Sequence, residues 1–494
     1  MNIKKILASL LVFCLLVASF SACGNQKPNA NKTESTTDAP VDTSPVVVED
    51  ADTDFWVKNQ VGFDAAIEGT AEDFTFEIVN GEVTILSYTG TYEHLMIPTT
   101  INGLPVTTIA DGAFTPGEKK PTEETTPEGE EKTEGTPQVV LKTLILPESI
   151  TTMGKGILAG CKSLHSLQTP LMGANQESKQ YLGYLFGATR HEDNARDVPA
   201  SLKCLKITGE WETMPAYSLF ECNDLICLAL PEDVTVIEKF ALYKCESLKQ
   251  IDGLASVITF GDRALMDCSS LQSVTISNQA QSIGFGAFEG CDSLVELTLP
   301  FVGHTATENT YLGYIFGAAQ PDFAKGFYPQ NLARITVTEA CQTLGKYAFF
   351  ECESLKEIIL PEGLTDIGVR AFYGCIRLWS VTIPNTVTNI RELAFAYCDA
   401  LTSIRFGSGL TTIGINAFYN CDSLVEIALP VSLKSIPASC FAGCTSLTKI
   451  ELGGVVEVGD QAFRHCNAVT TVTAAGKVHF GEGNDTVKSV LNGK

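Results

Sequence analysis

A cysteine-centred repeat is the feature that most constrains how this 494-residue chain can fold. In each copy, a cysteine is followed three residues later by leucine or, once, by valine. The repeating cysteines are Cys161, Cys222, Cys245, Cys268, Cys291, Cys352, Cys375, Cys398, Cys421, Cys444 and Cys466. Eight of the ten spacings between them are 22 or 23 residues, and the other two are both 61 residues. A fixed period of this length is typical of repeat architectures, in which each unit packs only on its neighbours.

Each copy also carries the signal of a short strand. Clear copies are AFEGCDSLVELTLP from Ala287, AFFECESLKEIILP from Ala348 and AFYNCDSLVEIALP from Ala417, and CFAGCTSLTKIELG from Cys440 is a fourth. Apolar residues stand three, six and eight positions after the cysteine, and the last two share one face of a strand. One such strand cannot bury its apolar face, whereas stacked copies form a continuous core. The pattern therefore predicts a solenoid of stacked coils.

The repeat resembles a known family. A unit of about 23 residues with the signature AFxxCxSLxxIxLPxxxxxIG is similar to the BspA-type leucine-rich repeats of bacterial surface proteins. The resemblance implies a solenoid of parallel β-strands with short turns and helical segments, a cell-surface location, and a role in binding or adhesion. On this basis we predict a leucine-rich-repeat solenoid over 89–475, a capping hairpin region at 55–88, and a C-terminal cap or tail at 476–494.

Two features interrupt or precede the regular coils. The segments FTFEIV and EVTILSY flank Asn80-Gly81, a residue pair that favours the tight turn of a β-hairpin. Residues 116–138 are acidic, of low complexity and without apolar periodicity, which indicates a flexible surface insertion.

The two 61-residue spacings match each other. YLGYLFGA begins at Tyr181 and YLGYIFGA at Tyr311, each twenty residues after its cysteine. We interpret 170–208 and 300–338 as lengthened coils of a duplicated segment. Two interpretations remain open: the aromatic residues fill the interior of the lengthened coils, or the two segments form a pair of equivalent binding knobs. The second would place Tyr181, Tyr184, Tyr311 and Tyr314 at a ligand.

The N-terminus has the order of a secretory signal. Lys4 and Lys5 precede an apolar run that is short for a membrane span, and small residues precede Cys23. The sequence FSAC resembles the lipobox of bacterial lipoproteins, which implies lipidation of Cys23 and anchoring at the outer face of the bacterial cell membrane. We therefore predict a signal peptide at 1–22 and a lipidated N-terminus with a disordered tether at 23–54. The alternative is a plain signal peptide cleaved nearby.

Composition and motif content exclude several functions. A formal net charge of −24 argues against nucleic acid as a partner, because such binding needs basic patches that displace counterions. The repeating cysteines are interpreted as small buried residues of the core. A disulfide among Cys204, Cys227, Cys341 and Cys440, which stand outside the repeat position, remains open. We find no zinc-binding spacing, phosphate-binding loop or catalytic motif, so we predict no enzyme activity, no cofactor and no metal.

The remaining candidate is the polar face of the strands. Residues four, five and seven positions after each cysteine are expected to point outward, and they include Lys249, Lys356, Glu357, Trp379 and Arg405. An exposed tryptophan is frequent at interface hot spots, although Trp379 can also simply fold over its neighbours. The leading hypothesis is a non-catalytic surface lipoprotein that binds a protein or glycan outside the cell, such as a host matrix protein, another cell or a wall polymer. The alternative is a passive envelope scaffold or spacer.

Overall fold

The computed structural model of the protein describes residues 62–116, 140–178, 180–308 and 310–493. The predicted signal peptide, Cys23, the tether and nearly all of the acidic insertion at 116–138 lie outside the described residues. Within the described ranges, no helix is both long enough and apolar enough to cross a membrane.

The described chain consists mainly of very short strands, numbered here in chain order. They are β1 (Ile67–Glu68), β2 (Phe74–Val79), β3 (Glu82–Tyr88), β4 (His94–Met96), β5 (Thr100–Ile101), β6 (Leu104–Ile109), β7 (Thr143–Ile145), β8 (Thr152–Met153), β9 (Ser166–Thr169), β10 (Cys204–Ile207), β11 (Thr213–Met214), β12 (Cys227–Ala229), β13 (Val236–Ile237), β14 (Gln250–Asp252), β15 (Thr259–Phe260), β16 (Ser273–Thr275), β17 (Ser282–Ile283), β18 (Glu296–Leu299), β19 (Arg334–Val337), β20 (Thr343–Leu344), β21 (Glu357–Ile359), β22 (Asp366–Ile367), β23 (Ser380–Thr382), β24 (Asn389–Ile390), β25 (Ser403–Arg405), β26 (Thr412–Ile413), β27 (Glu426–Ala428), β28 (Ser435–Ile436), β29 (Lys449–Glu451), β30 (Glu457–Val458), β31 (Thr471–Thr473) and β32 (His479–Phe480).

Helices are few and short. The α-helices are α1 (Asn194–Asp197) and α2 (Asp485–Leu491), and the 3-10 helices are Ala71–Asp73, Leu182–Phe186, His191–Asp193, Leu254–Ser256, Leu312–Phe316 and Pro321–Gly326.

The strands form stacked, almost entirely parallel sheets. The first long sheet has the order β1-β4-β7-β9-β10-β12-β14, and the second long sheet has the order β16-β18-β19-β21-β23-β25-β27-β29-β31. Four shorter sheets contain the remaining strands, such as β11-β13-β15-β17 and β20-β22-β24-β26. Successive strands of a sheet usually come from successive coils, as in the pair Cys227–Gln250, which are 23 residues apart. The predicted parallel-strand solenoid is therefore confirmed.

Both ends of the solenoid depart from the repeat. β2 and β3 form the predicted antiparallel hairpin, and its turn residues Asn80 and Gly81 have positive φ angles of 53° and 85°. At the other end, β32 pairs in parallel with β30, so the last coil continues past the predicted end of the solenoid at residue 475. Helix α2 follows and buries Val487 completely.

Each 61-residue spacing contains one long coil and one ordinary coil. Ser166 pairs with Cys204, and Glu296 pairs with Arg334, in each case 38 residues further along the chain. An ordinary coil then follows, in which Pro199 or Pro329 occupies the cysteine position. Both long spacings are therefore an enlarged coil followed by a coil without its cysteine.

The repeating cysteines are all buried and have free thiols. Their thiols also have a directional role, since many donate to a backbone carbonyl of the preceding coil. Examples are the Sγ atoms of Cys245 and Cys398, which lie 3.3 and 3.2 Å from the carbonyl oxygens of Leu219 and Phe372. Burial raises the pKa of Cys161 to about 12, so this thiol stays protonated and able to donate to the carbonyl oxygen of Phe114, 3.2 Å away. The predicted packing role is confirmed, and the inter-coil hydrogen bond is an addition to it.

A column of stacked phenylalanines runs through the later coils. Phe349, Phe372, Phe395, Phe418 and Phe441 are buried, with neighbouring ring centroids 4.8–5.2 Å apart. The same coil position carries Leu242 and Leu265 in earlier coils, where the side chain is equally buried. The repeat thus fixes burial at this position, while the side chain that fills it changes along the solenoid.

Candidate binding face

The outer surface of the second long sheet follows from strand alternation. Within each strand the central residue, such as Leu297 or Val381, is buried in the core, and its neighbours point outward. The outward side chains of successive coils stand one strand apart and interact across the sheet. The Nη1 of Arg334 lies 2.6 Å from a carboxylate oxygen of Glu296, and its Nε lies 3.0 Å from one of Glu357. The face is therefore charged and internally paired.

A second ion-pair group lies near the end of the same sheet. The Nζ of Lys449 is 2.7 Å from a carboxylate oxygen of Glu451 and 3.9 Å from one of Glu426. The hydrogen bond with Glu451, and then its charge, raise the pKa of Lys449 above its usual value. Both groups leave charged side chains at the surface of the sheet, where a ligand can reach them.

Apolar side chains interrupt this charged face near its centre. Ile359, at the end of β21, is 47% exposed, and Val425, just before β27, is 45% exposed. Trp379 precedes β23, between these two coils, and is half-buried. Its indole Nε1 is shielded from solvent and has no hydrogen-bond partner. Trp379 thus contributes only part of its ring to the surface.

The structure brings together most of the predicted strand residues. Lys356, Glu357, Trp379 and Arg405 lie in three successive coils of the second long sheet, and Arg405 is exposed. Lys249 is also exposed, but it precedes β14 and belongs to the first long sheet. The predicted residues therefore form one group of four and one separate lysine.

One row of outward positions on the first long sheet is covered. Thr143, Ser166, Cys204 and Cys227 point outward from β7, β9, β10 and β12, yet all are fully buried. A side chain on Gly62 would collide with the hydroxyl oxygen of Thr143, and Phe63 packs on Cys204 and Cys227. The chain around Gly62 and Phe63 thus shields this row, whereas Lys206, at another outward position of β10, stays exposed.

One of the open disulfide alternatives is now assigned. Cys204 and Cys227 are register partners on adjacent strands, with Cα atoms 4.9 Å apart, and they form a disulfide. Cys341 and Cys440 are buried free thiols.

The YLGY tyrosines are part of the core of the enlarged coils. Tyr184 and Tyr311 are buried, and Tyr181 and Tyr314 pack against the core. The hydroxyl groups of Tyr184 and Tyr311 donate to the carbonyl oxygens of Met153 and Ala318, at 3.3 and 3.0 Å. The prediction that these tyrosines contact a ligand is therefore wrong for Tyr184 and Tyr311, because their rings and hydroxyl groups are already used inside the fold.

Sequence reasoning missed a different aromatic group in the second enlarged coil. Phe323 and Phe327, in and after the 3-10 helix Pro321–Gly326, are 70% and 41% exposed. The equivalent positions in the first enlarged coil are Asp193 and Asp197, which lie 3.2 and 2.8 Å from the guanidinium group of Arg196. Aligning the two copies from their shared YLGY start would have revealed this exchange of acidic for aromatic residues.

Within the described ranges, no group of three or more histidine, cysteine, aspartate or glutamate side chains is arranged to hold a metal ion. The repeating thiols are buried, and desolvation raises the pKa of Cys245, Cys268 and Cys291 well above the usual value, which opposes the nucleophilic thiolate form.

Several solved structures resemble the chain at low identity. A leucine-rich repeat protein from Bacteroides ovatus is 18% identical, with a TM-score of 0.31, and the match covers 84% of this chain and 99% of that one. The pneumococcal vaccine antigen PcpA is 15% identical, with a TM-score of 0.29, covering 84% and 98%. An internalin from Listeria monocytogenes is 12% identical, with a TM-score of 0.30, covering 59% and 79%. No curated protein matches the chain.

A family model identifies the repeat. The model described as BspA type leucine-rich repeat region (6 copies) matches residues 198–312, 324–430 and 365–482. These ranges cover more than half of the chain and contain most of the coils described above. The chain belongs to the BspA-type leucine-rich repeat family.

Proposed function

We propose that this chain is an exported, lipid-anchored protein of the bacterial cell surface that binds a protein or glycan outside the cell without chemical turnover. The lipid is attached at Cys23, and residues 24–54 form the tether between membrane and solenoid. The ligand contacts the open face of the second long sheet around Lys356, Glu357, Trp379 and Arg405.

The observation that carries this proposal is the mixed character of that open face. Exposed Ile359, partly exposed Trp379, exposed Arg405 and exposed Val425 lie in four successive coils of this face, those of β21, β23, β25 and β27. Aromatic and arginine side chains surrounded by other contacts are typical of the residues that dominate binding energy. Apolar side chains exposed on this face cost solvation free energy, which a ligand would recover by burying them.

A binding array tests the ligand class. The purified chain is probed against matrix proteins and cell-wall glycans, and bound ligands are then titrated against variants. Trp379→Ala and Arg405→Ala are each expected to weaken binding by about tenfold or more, since truncated hot-spot residues cost about 2 kcal/mol. Arg464→Ala is the matched control, because Arg464 is exposed in a turn outside the long sheets and its loss should leave affinity unchanged.

The outcomes separate the two functional hypotheses. Unchanged affinity in both variants would rule out this face as the binding site. If the array yields no ligand and capture from intact cells recovers only envelope proteins, the passive scaffold is the correct interpretation instead.

The anchor has its own test. Cells that express the chain are labelled with a clickable palmitate analogue, and the wild type is expected to incorporate label and to fractionate with membranes. Cys23→Ala should abolish both properties, because two acyl chains are needed for stable anchoring. Cys14→Ala is the control, since Cys14 lies in the predicted signal peptide and should have no effect.

A further inference from the structure

The long-sheet side of the solenoid has a break between β14 and β16. These strands belong to successive coils, yet they lie in different sheets and do not pair. A cavity of about 550 Å³ opens at this point, which we name the seam. It is lined by residues on both sides, among them Lys249, Gln250, Ile251, Gln272, Ser273 and Thr275.

The local sequence explains the seam. Where other coils carry a buried leucine, such as Leu230 or Leu299, this coil carries Gly253 with a φ of +93°. The chain turns there into the 3-10 helix Leu254–Ser256, and Leu254 takes the buried place instead. A side chain at Gly253 would collide with the carbonyl oxygen of Leu230, so the turn requires glycine.

The seam leaves main-chain groups without the bonds that other coils make. In several coils the first strand residue donates its N–H to the preceding coil, as Cys227 does to the carbonyl of Lys203 at 3.1 Å. Glu357 does the same to the carbonyl of Ala333 at 3.0 Å. Ser273 and Lys249 occupy these positions at the seam, and no such bond joins them in the described structure. By strand alternation, the next unpaired groups are the N–H of Thr275 on the edge of β16 and the carbonyl of Ile251 on the edge of β14.

The seam also exposes part of a core side chain to solvent. Ile251 is partly exposed, whereas Leu228 and Val274, at the same position in the coils on either side, are buried. A ligand bound in the seam would therefore contact the apolar side chain of Ile251 at its base. On either side it would meet a strand edge that offers backbone donors and acceptors. Such a combination suits an extended peptide, whose backbone pairs with the edges while alternate side chains point down to the base.

At two other breaks in this solenoid, extended chain closes the gap. The shorter sheets end at β8 and β17, where the enlarged coils begin. There the N–H of Met153 donates to the carbonyl of Ala174, and the N–H of Ile283 donates to the carbonyl of His304, both at 2.8 Å. The fold thus fills two breaks with irregular backbone of its own, and within the described residues nothing fills the seam.

We infer that the seam is a peptide-binding site, in which an extended segment of a partner protein pairs with the edges of β14 and β16. The partner supplies backbone amides and an apolar side chain that packs on Ile251. The seam is separate from the face around Trp379, so this inference stands or falls independently of the proposed function.

Hydrogen exchange in the free protein provides the first test. The amide of Ser273 is compared with that of Glu357, which occupies the same coil position and donates to the carbonyl of Ala333 at 3.0 Å. Ser273 should exchange at least about tenfold faster, because an unpaired amide lacks the protection of a ladder bond. Equal protection of the two amides would overturn the inference, since the edge would then be closed.

Peptide selection provides the second test. A displayed library of random decapeptides is selected on the full chain, and the selected peptides are expected to protect the amides of Ser273 and Thr275 from exchange. Gln272→Trp, which places a bulky ring on an exposed residue lining the seam, should weaken their binding about tenfold or more. Val425→Trp is the matched control, because Val425 is exposed at the same coil position beside a paired strand.

Two further variants keep this test decisive. Ser273→Pro removes the backbone donor and should also abolish peptide binding, while Trp379→Ala should leave it unchanged. Near-ultraviolet circular dichroism establishes that each variant is folded. A library without binders, or selected peptides that bind Gln272→Trp and Ser273→Pro as tightly as the wild type, would overturn the inference.

Discussion

The outer faces of the two long sheets share one strand geometry but differ in what they expose. In the first long sheet, outward residues such as Thr143, Ser166 and Cys204 are small and fully buried beneath the chain around Gly62 and Phe63. In the second, the corresponding positions carry longer charged side chains such as Glu296 and Arg334, which remain partly exposed and pair across strands. The same repeat therefore builds a packing surface at one end and an accessible surface at the other.

The two enlarged coils show the same contrast on a smaller scale. Their YLGY segments adopt matching 3-10 helices and bury equivalent apolar residues, such as Leu182 and Leu312 or Phe186 and Phe316. After this shared part, the first copy pairs Asp193 and Asp197 with Arg196, whereas the second exposes Phe323 and Phe327. The two copies therefore share the residues that pack in the core and differ in the residues that reach the surface.

The largest expected effect concerns the core of the coils that carry the second long sheet. Phe395→Ala should destabilise the protein by roughly 3–5 kcal/mol, because it removes a fully buried ring from the middle of the phenylalanine stack. Leu242→Ala, at the same coil position in an earlier coil, should cost less, since leucine fills less volume. Urea unfolding of both variants measures the difference, and an equal or larger loss for Leu242→Ala would contradict it.

The cysteine position should not distinguish the two regions. Cys245→Ala and Cys398→Ala each remove a buried sulfur and an inter-coil hydrogen bond, so each should cost about 1–2 kcal/mol. The thiol environments are alike in both coils, which predicts equal urea midpoints for the two variants. A clear difference between them would show that the cysteine ladder is not uniform.

The cover of the first long sheet can be removed selectively. Phe63→Ser should weaken the contact over Cys204 and Cys227, so that after mild reduction these thiols react with a maleimide about tenfold faster than in the wild type. Mass spectrometry of labelled peptides provides the rate. Phe327→Ser, which alters an exposed phenylalanine of an enlarged coil, should not change it, and equal acceleration by both variants would argue against a specific cover.

The smallest effect concerns the ion pairs of the second long sheet. Arg334→Ala should cost up to about 1 kcal/mol, because partly exposed salt bridges contribute little and their loss leaves Glu296 and Glu357 unpaired. Salt should reduce this cost, since added ions screen the pair. Thermal unfolding at low and high sodium chloride tests this, and Lys206→Ala, an exposed residue of the first long sheet, serves as the control. A salt-independent loss for Arg334→Ala would point to lost packing instead.

Several elements were predictable from sequence because their causes are local and repeated. The spacing of Cys291, Leu294, Leu297 and Leu299 recurs in most coils, and the structure buries all four. The hairpin at β2 and β3 followed from Asn80-Gly81, whose positive φ angles suit that tight turn. The position of the solenoid end was missed, because β32 carries a weak version of the pattern that only its pairing with β30 reveals.

The candidate sites were less predictable because they depend on residues distant in sequence. Strand alternation indicates that Thr143 and Glu296 both point outward, but it cannot indicate that Gly62 lies over the first of them. It also left open whether the YLGY tyrosines pointed inward, which their hydroxyl contacts now settle for Tyr184 and Tyr311. The seam was invisible for the same reason, since it is a missing bond between coils of normal length.

By itself, the sequence determined the coil, its period and the residues of its core, since every repeat must bury the same apolar positions against its neighbours. Only the tertiary structure decided which outer face stays open, which aromatic residues remain at the surface, and where two neighbouring strands fail to pair. These outcomes depend on contacts made once in the molecule rather than once in every repeat, and periodicity carries no information about them.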